Sequence, residues 1–202
     1  MIQSPQFRVP HGVRETDVPH DQVVELADVR LQYADVGSGE PVLMIHGTST
    51  IDAIVAPLSL YEPLFDEYRI VSYYRAGYAG SEYFGNGMSV ERGAAHAVEL
   101  LDHLGIERAH LVAYSAGGVY AFEALMNYPN RFVTASLLEP WLPREVPETV
   151  EAINAIIGRS VKLLEQGRMH EAAREWIGSI TGPGFFSCLE VYGPTDAWSR
   201  IE

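Results

Sequence analysis

The stretch Leu111-Val112-Ala113-Tyr114-Ser115-Ala116-Gly117-Gly118 constrains this chain more tightly than any other part of it. His110 to Tyr114 is an apolar, strand-like run. Beyond the glycines, Val119, Phe122, Leu125 and Met126 fall at helical spacing and mark one apolar face, which Pro129 ends. A strand that becomes a helix within a few residues crowds its backbone, so the neighbours of Ser115 must be small. Such a turn lifts a serine hydroxyl clear of the sheet. The free N–H groups at the start of the following helix then point toward any negative charge that develops beside it. Ser115 is the candidate nucleophile, held in an elbow made by Ala113, Tyr114, Gly117 and Gly118.

The surrounding sequence alternates between strand and helix signals. Val23–Val29 and Leu31–Val36 predict two short antiparallel strands, closed by the turn-prone Gly37-Ser38-Gly39. Pro41–Ile45 is continuously apolar, as a strand buried on both faces should be. A helical stretch is expected around Pro57–Tyr68, a strand at Arg69–Tyr74 and a loop from Arg75 to Gly87. Val90, Ala94, Ala97, Val98, Leu101 and Leu104 give a helix from Ser89, with Gly105 at its end. Phe132–Leu138 predicts one more buried strand. Strands alternating with helices imply a mostly parallel sheet flanked by helices, an α/β fold.

After Glu139-Pro140 the pattern changes. Pro140, Pro143 and Pro147 make a stiff connector. Val150, Ile153, Ile157, Val161 and Leu164 mark a long amphipathic helix, and Ala173, Trp176, Ile177 and Ile180 a second. The organisation expected is an N-terminal arm over 1–21, an α/β core over 22–140, and a helical cap and tail over 141–202.

Two further motifs sit where the predicted strands end. His46-Gly47-Thr48 follows the Pro41–Ile45 strand and places the Thr48 backbone N–H as an oxyanion donor, to be paired with that of Ala116. A donor of this kind stabilises a transition state by roughly 2.7–4 kcal/mol. His46 itself reads as a structural cap on the strand. Tyr74-Arg75-Ala76-Gly77-Tyr78-Ala79-Gly80-Ser81 is a glycine-punctuated tight loop after the next strand.

Taken together in this order, His46-Gly47, Arg75-Ala76-Gly77-Tyr78-Ala79-Gly80-Ser81 and Ser115-Ala116-Gly117-Gly118 resemble the α/β-hydrolase superfamily, particularly its haloperoxidase- and esterase-like branch with a helical cap. The resemblance covers roughly residues 22–185. Ala113 stands where that family usually has glycine, a mild departure. The resemblance implies a serine hydrolase of the ester- or acyl-cleaving type acting on a small apolar ester, with no cofactor and no metal. Tyr114, Trp141, Phe185 and Phe186 would line the pocket beneath the cap.

The same resemblance implies a triad in the chain order serine, acid, histidine, with the histidine after the last strand. Glu139 matches a position where some members carry the acid. Downstream of Ser115 the sole histidine is His170, within Gln166-Gly167-Arg168-Met169-His170-Glu171 between the two cap helices. His96, His103 and His110 lie on a helix and at a strand start, away from Ser115. The expectation is therefore a hydrolase truncated before its catalytic histidine and impaired by the loss. The last strands would then be missing too. Phe132–Leu138 would become an apolar sheet edge open to self-association.

Composition narrows the alternatives. A net charge of −13 argues against nucleic acid or an anionic membrane as partner. A single cysteine, Cys188, permits no internal disulfide and no Cys-based zinc site. There is no signal-like N-terminus and no apolar run long enough to span a bilayer, so the expected location is cytoplasmic. A dinucleotide-binding domain is excluded by the lack of Gly-x-Gly-x-x-Gly after an early strand. A non-catalytic small-molecule-binding or interaction protein on the same fold stays open, because fold does not fix function.

Overall fold

The computed structural model describes residues 20–48, 64–141 and 147–181. They fall into two compact units, one ending at Leu142 and one beginning at Pro143. The first is a seven-stranded sheet in the order β1-β2-β4-β3-β6-β7, with β5 paired to β2. Its strands are β1 Gln22–Glu25, β2 Val29–Gly37, β3 Glu40–Ile45, β4 Tyr68–Tyr73, β5 Glu82–Tyr83, β6 Ala109–Tyr114 and β7 Phe132–Leu138. β2 runs antiparallel to β1, β4 and β5, while β4, β3, β6 and β7 are mutually parallel. This is the mostly parallel α/β architecture that the alternating sequence predicts.

β3 lies at the point where the chain changes direction across the sheet. From β3 it passes to β4 on one side, then crosses to β6 on the other. The crevice at the carboxyl ends of strands around such a switch point is where open α/β sheets place their sites. Leu43 and Ile45 are fully buried, and Val42 and Met44 nearly so, which explains the unbroken apolar run of this central strand.

Among the described residues the same unit holds the α-helices α1 Leu64–Glu67, α2 Val90–His103 and α3 Gly117–Asn127. The Ser89 hydroxyl caps α2 by accepting from the Arg92 N–H at 3.2 Å. Gly105, at φ +66°, ends it in the left-handed region that disfavours side chains. Ala94, Ala97, Val98, Leu100 and Leu101 of α2 pack with Val71, Tyr73, Leu111 and Ala113 on one face of the sheet. Ala34, Val42, Met44 and Ile70 form a smaller cluster on the other. Asp28 joins the β1–β2 turn to α2, accepting from two nitrogens of Arg92 and lying 3.0 Å from Nε2 of buried His96.

Several expectations need correction. The Arg75–Gly87 loop contains the short strand β5. Of the predicted Pro57–Tyr68 helix, Leu64–Glu67 is helical and Tyr68 already belongs to β4, while residues 57–63 lie outside the described residues. The buried face of α3 is Gly117, Gly118, Ala121 and Ala124, not the larger apolar residues, and Met126 is 78% exposed. Close packing of a helix start against the sheet selects small side chains there. β7 is not a buried strand: only Phe132 is buried, and among the described residues β7 has a strand partner on one side alone.

The second unit contains α4 Pro147–Glu165 and α5 Met169–Thr181, close to the two predicted helices. Gly167, at φ +73°, allows the turn between them, and Arg159 pairs with Glu175 across it at 2.5 Å. Phe185 and Phe186 lie outside the described residues. No helix among the described residues is long and apolar enough to cross a membrane.

Among the described residues β7 forms an open sheet edge with Val133 49% and Leu138 46% exposed. Unpaired backbone beside apolar side chains favours pairing with a second chain. Light scattering is expected to show an average mass rising with concentration above the 22.4 kDa of the monomer. The double substitution Val133→Lys, Leu138→Lys should hold it near that value.

Candidate active site

Parallel pairing brings four strand ends to one level. Ile45 is in register with Tyr73 of β4 and with Ala113 of β6, and Tyr114 of β6 with Leu138 of β7. Carrying those registers past the strand ends sets Arg75, Gly47, Ser115 and Glu139 side by side. Four residues from separate parts of the sequence thus form one row along the carboxyl edge of the sheet.

Ser115 occupies the left-handed region at φ +50°, a strained conformation for a residue with a side chain. Backbone hydrogen bonds hold it there. Its N–H donates to the Leu138 carbonyl at 3.0 Å, and its carbonyl accepts from Gly118 at 2.9 Å and Trp141 at 3.0 Å. The turn tolerates no bulk around it. A Cβ at Gly117 would stand 2.3 Å from the Ile45 carbonyl oxygen, and one at Gly118 2.6 Å from Cβ of Pro140. One at Gly47 would come 3.1 Å from both Ser115 Cβ and Tyr114 Cδ1. The elbow is therefore pressed against the His46-Gly47 turn and against the segment after β7.

Ala116 stands at the start of α3 and is buried, while Thr48 is exposed. Among the described residues neither backbone N–H donates to a protein acceptor. Glu139, directly after β7 and exposed, is also left-handed, at φ +45°. Strained backbone at two adjacent strand ends is the kind of feature that clusters at functional sites.

His46 is 3% exposed and committed to structure. Its Nε2 accepts the Arg75 backbone N–H at 2.9 Å, and its Nδ1 lies 2.6 Å from the Gly47 carbonyl. An accepting Nε2 fixes the proton on Nδ1, so neither nitrogen is available to another group. Burial, and secondarily the positive charge of Arg75, push its pKa down to about 3. The other upstream histidines among the described residues are engaged elsewhere. His96 binds Asp28, His103 meets the edge of the Tyr33 ring, and His110 bridges Glu40 at 3.0 Å and Thr134 at 2.7 Å. His20 lies 3.0 Å from the Ser72 hydroxyl and stacks on Tyr74. His170 is exposed near the start of α5, in the second unit. Among the described residues no imidazole bonds to the Ser115 hydroxyl.

The sequence did not mark Arg75 as more than part of a tight loop. In the structure it is 7% exposed, and its guanidinium donates to the His46 carbonyl at 3.2 Å and the Gly47 carbonyl at 2.9 Å. It also lies over the rings of Tyr78 and Tyr120, 4.7 and 4.8 Å from their centroids. The available signal was an arginine among glycines and aromatics, with no acidic residue between Glu67 and Glu82 to pair with it.

The fold and this strand-end geometry define an α/β hydrolase. The family model described as the alpha/beta hydrolase fold matches residues 40–166, and the chain belongs to that family. It is 35% identical over 123 residues to the 2-hydroxy-6-oxo-6-phenylhexa-2,4-dienoate hydrolase of Comamonas testosteroni, a match covering 57% of this chain and 42% of that one. It is 31% identical over 121 residues to the dihydrolipoyllysine-residue acetyltransferase component of the acetoin cleaving system of Cupriavidus necator, covering 59% and 32%. The chain thus spans about a third to two fifths of the length of these relatives. Among solved structures, a hydrolase from Pseudomonas aeruginosa matches with a TM-score of 0.69 at 22% identity, covering 89% of this chain and 64% of that one. That likeness is one of fold.

The buried neutral His46 gives the site a signature in acid. Its folded pKa lies well below the ordinary 6.5, so between about 6.5 and 3 the unfolded chain binds a proton that the folded chain does not. Stability therefore falls as pH drops through that window, by up to about 1.4 kcal/mol per pH unit from this group. Thermal melts at pH 7 and pH 4.5 should show a smaller loss of Tm in His46→Gln than in the wild type. The glutamine can still accept from the Arg75 N–H but takes up no proton.

Proposed function

We propose that this chain carries the nucleophile and oxyanion machinery of a serine hydrolase acting on small apolar esters or related acyl compounds. Ser115 is the nucleophile, the Thr48 and Ala116 N–H groups receive the oxyanion, and Glu139 is the acid of the triad. The observation that carries this reading is the left-handed Ser115, clamped between Gly47, Gly117 and the segment after β7. A serine held against its conformational preference, beside two N–H groups that no protein acceptor uses among the described residues, suits attack on a carbonyl. Glu139 supports the reading by its place one strand from Ser115 and by its own strained backbone.

The same reading implies low activity for what the described residues supply by themselves, because none of their imidazoles bonds to the Ser115 hydroxyl. A serine without a bound imidazole keeps its proton, and what remains is the oxyanion site together with substrate binding. In serine hydrolases stripped of triad members these sustain roughly 10³–10⁴-fold acceleration over water. His46 cannot supply the base, since both its nitrogens are engaged and burial holds it neutral. We assign His170 no more than a candidate's place, as the remaining histidine downstream of Ser115.

That missing contact also favours a second reading, in which the pocket binds a small molecule without turning it over. Hydrolysis of p-nitrophenyl acetate by the 202-residue chain and its Ser115→Ala variant separates the two. Slow turnover that falls at least tenfold in Ser115→Ala is the expected result. Equal rates, with no labelling of Ser115 by a fluorophosphonate, would leave the binding protein.

A further inference from the structure

We propose that Arg75 is the positioning residue of the oxyanion site, aiming the Thr48 N–H by holding the peptide plane that carries it. The inference rests on the serine-hydrolase reading above, and deepens it with a residue that touches neither substrate nor nucleophile.

The geometry begins with the Gly47–Thr48 peptide. All peptide bonds described are trans, so the Gly47 carbonyl and the Thr48 N–H point in opposite directions. Fixing one fixes the other. The Gly47 carbonyl is fixed twice, by the Arg75 guanidinium at 2.9 Å and by Nδ1 of His46 at 2.6 Å. The same guanidinium takes the preceding carbonyl, that of His46, at 3.2 Å. Both carbonyls of the turn are thus drawn to one cation, and the Thr48 N–H is turned away from it. Gly47 itself lies against Ser115, close enough that a Cβ would touch the serine side chain.

Arg75 is anchored to the other half of the site as well. Its cation sits over the ring of Tyr120, which belongs to α3, the helix that starts at the elbow. Tyr120 in turn lies on Gly93 of α2, where a Cβ would come 2.3 Å from the ring. The guanidinium therefore ties the turn bearing Thr48 to the helix behind Ala116.

Stability alone explains this arrangement poorly. Among the described residues no carboxylate pairs with Arg75, although it is 93% buried by complement of its 7% exposure. Burying a cation without a counter-charge is costly, and carbonyl dipoles and aromatic faces offset only part of that cost. The charge is useful across the Gly47–Thr48 peptide: by holding the carbonyl end it polarises that peptide, and its N–H end then favours an oxyanion over the neutral ground state. Lysine would keep the charge but lose the planar fork that reaches both carbonyls.

The test compares wild type, Arg75→Lys and Arg75→Met by two readouts. The first is the residual dipolar coupling of the Thr48 N–H, which reads the direction of that bond and needs no activity. It should change in Arg75→Met, while the couplings of β3 and β6 stay as in the wild type. The second is p-nitrophenyl acetate hydrolysis well below each variant's Tm. The Ser115-dependent kcat should fall about 100-fold in Arg75→Met and about tenfold in Arg75→Lys, with KM within twofold, in line with loss of one oxyanion donor. An unchanged Thr48 coupling in Arg75→Met overturns the proposal, as does a lowered Tm with kcat retained. A wild type with no Ser115-dependent turnover overturns the hydrolase reading instead, and the dipolar coupling still decides whether Arg75 orients Thr48.

Discussion

The double pairing of β3, to β4 on one side and β6 on the other, is the constraint on which the candidate site depends. Parallel strands joined by crossovers leave their ends free to slip relative to one another, and a slip of one residue would exchange the faces of every side chain. Here Ile45 is locked opposite both Tyr73 and Ala113, and Tyr114 opposite Leu138. The buried residues of β3 enforce those registers, since a shift would carry Leu43 and Ile45 from one core cluster toward the other. Chemistry at the strand ends is thus set by packing in the strand middles.

Above that level, close approach takes over. Gly117 and Gly118 are required by what a side chain would strike, the Ile45 carbonyl and Pro140 respectively, and Gly47 sits in tight contact range of the Ser115 side chain. Within its own segment the left-handed Ser115 has one backbone bond, from Gly118 to its carbonyl. It is also held by bonds to Leu138 and Trp141 on either side of Glu139, so β7 supports the elbow as well as extending the sheet. Arg75 makes the corresponding link on the opposite flank, through carbonyls rather than through sheet pairing.

What could be read in the sequence was what is local. The elbow, the His46-Gly47-Thr48 turn and the α2 helix with its Ser89 cap and Gly105 stop all depend on residues within a few positions of each other. Periodicity located β3, β4, β6 and β7 to within a residue or two. It misjudged α3, because hydrophobicity pointed to Phe122 and Met126 where crowding at the sheet admits only Gly117, Gly118, Ala121 and Ala124. It missed β5, whose two residues become a strand through pairing with Val29 and Arg30. His46 reads as structural, but its partner, and the task of Arg75, were beyond periodicity for the same reason. Their partners are 28 or 29 positions apart along the chain, and no pattern of either segment alone shows that they meet.

The left-handed backbone at Ser115 also bears on how such a chain would drift. A side chain in that region costs on the order of 1 kcal/mol relative to glycine, which adopts it freely. Stability by itself would therefore reward exchange of this serine for glycine, a change that the crowded turn has room for. Neutral substitution would tend to erase the hydroxyl before it erased the fold around it. The serine is the costlier occupant of its position, and the hydroxyl is all it brings that glycine would not.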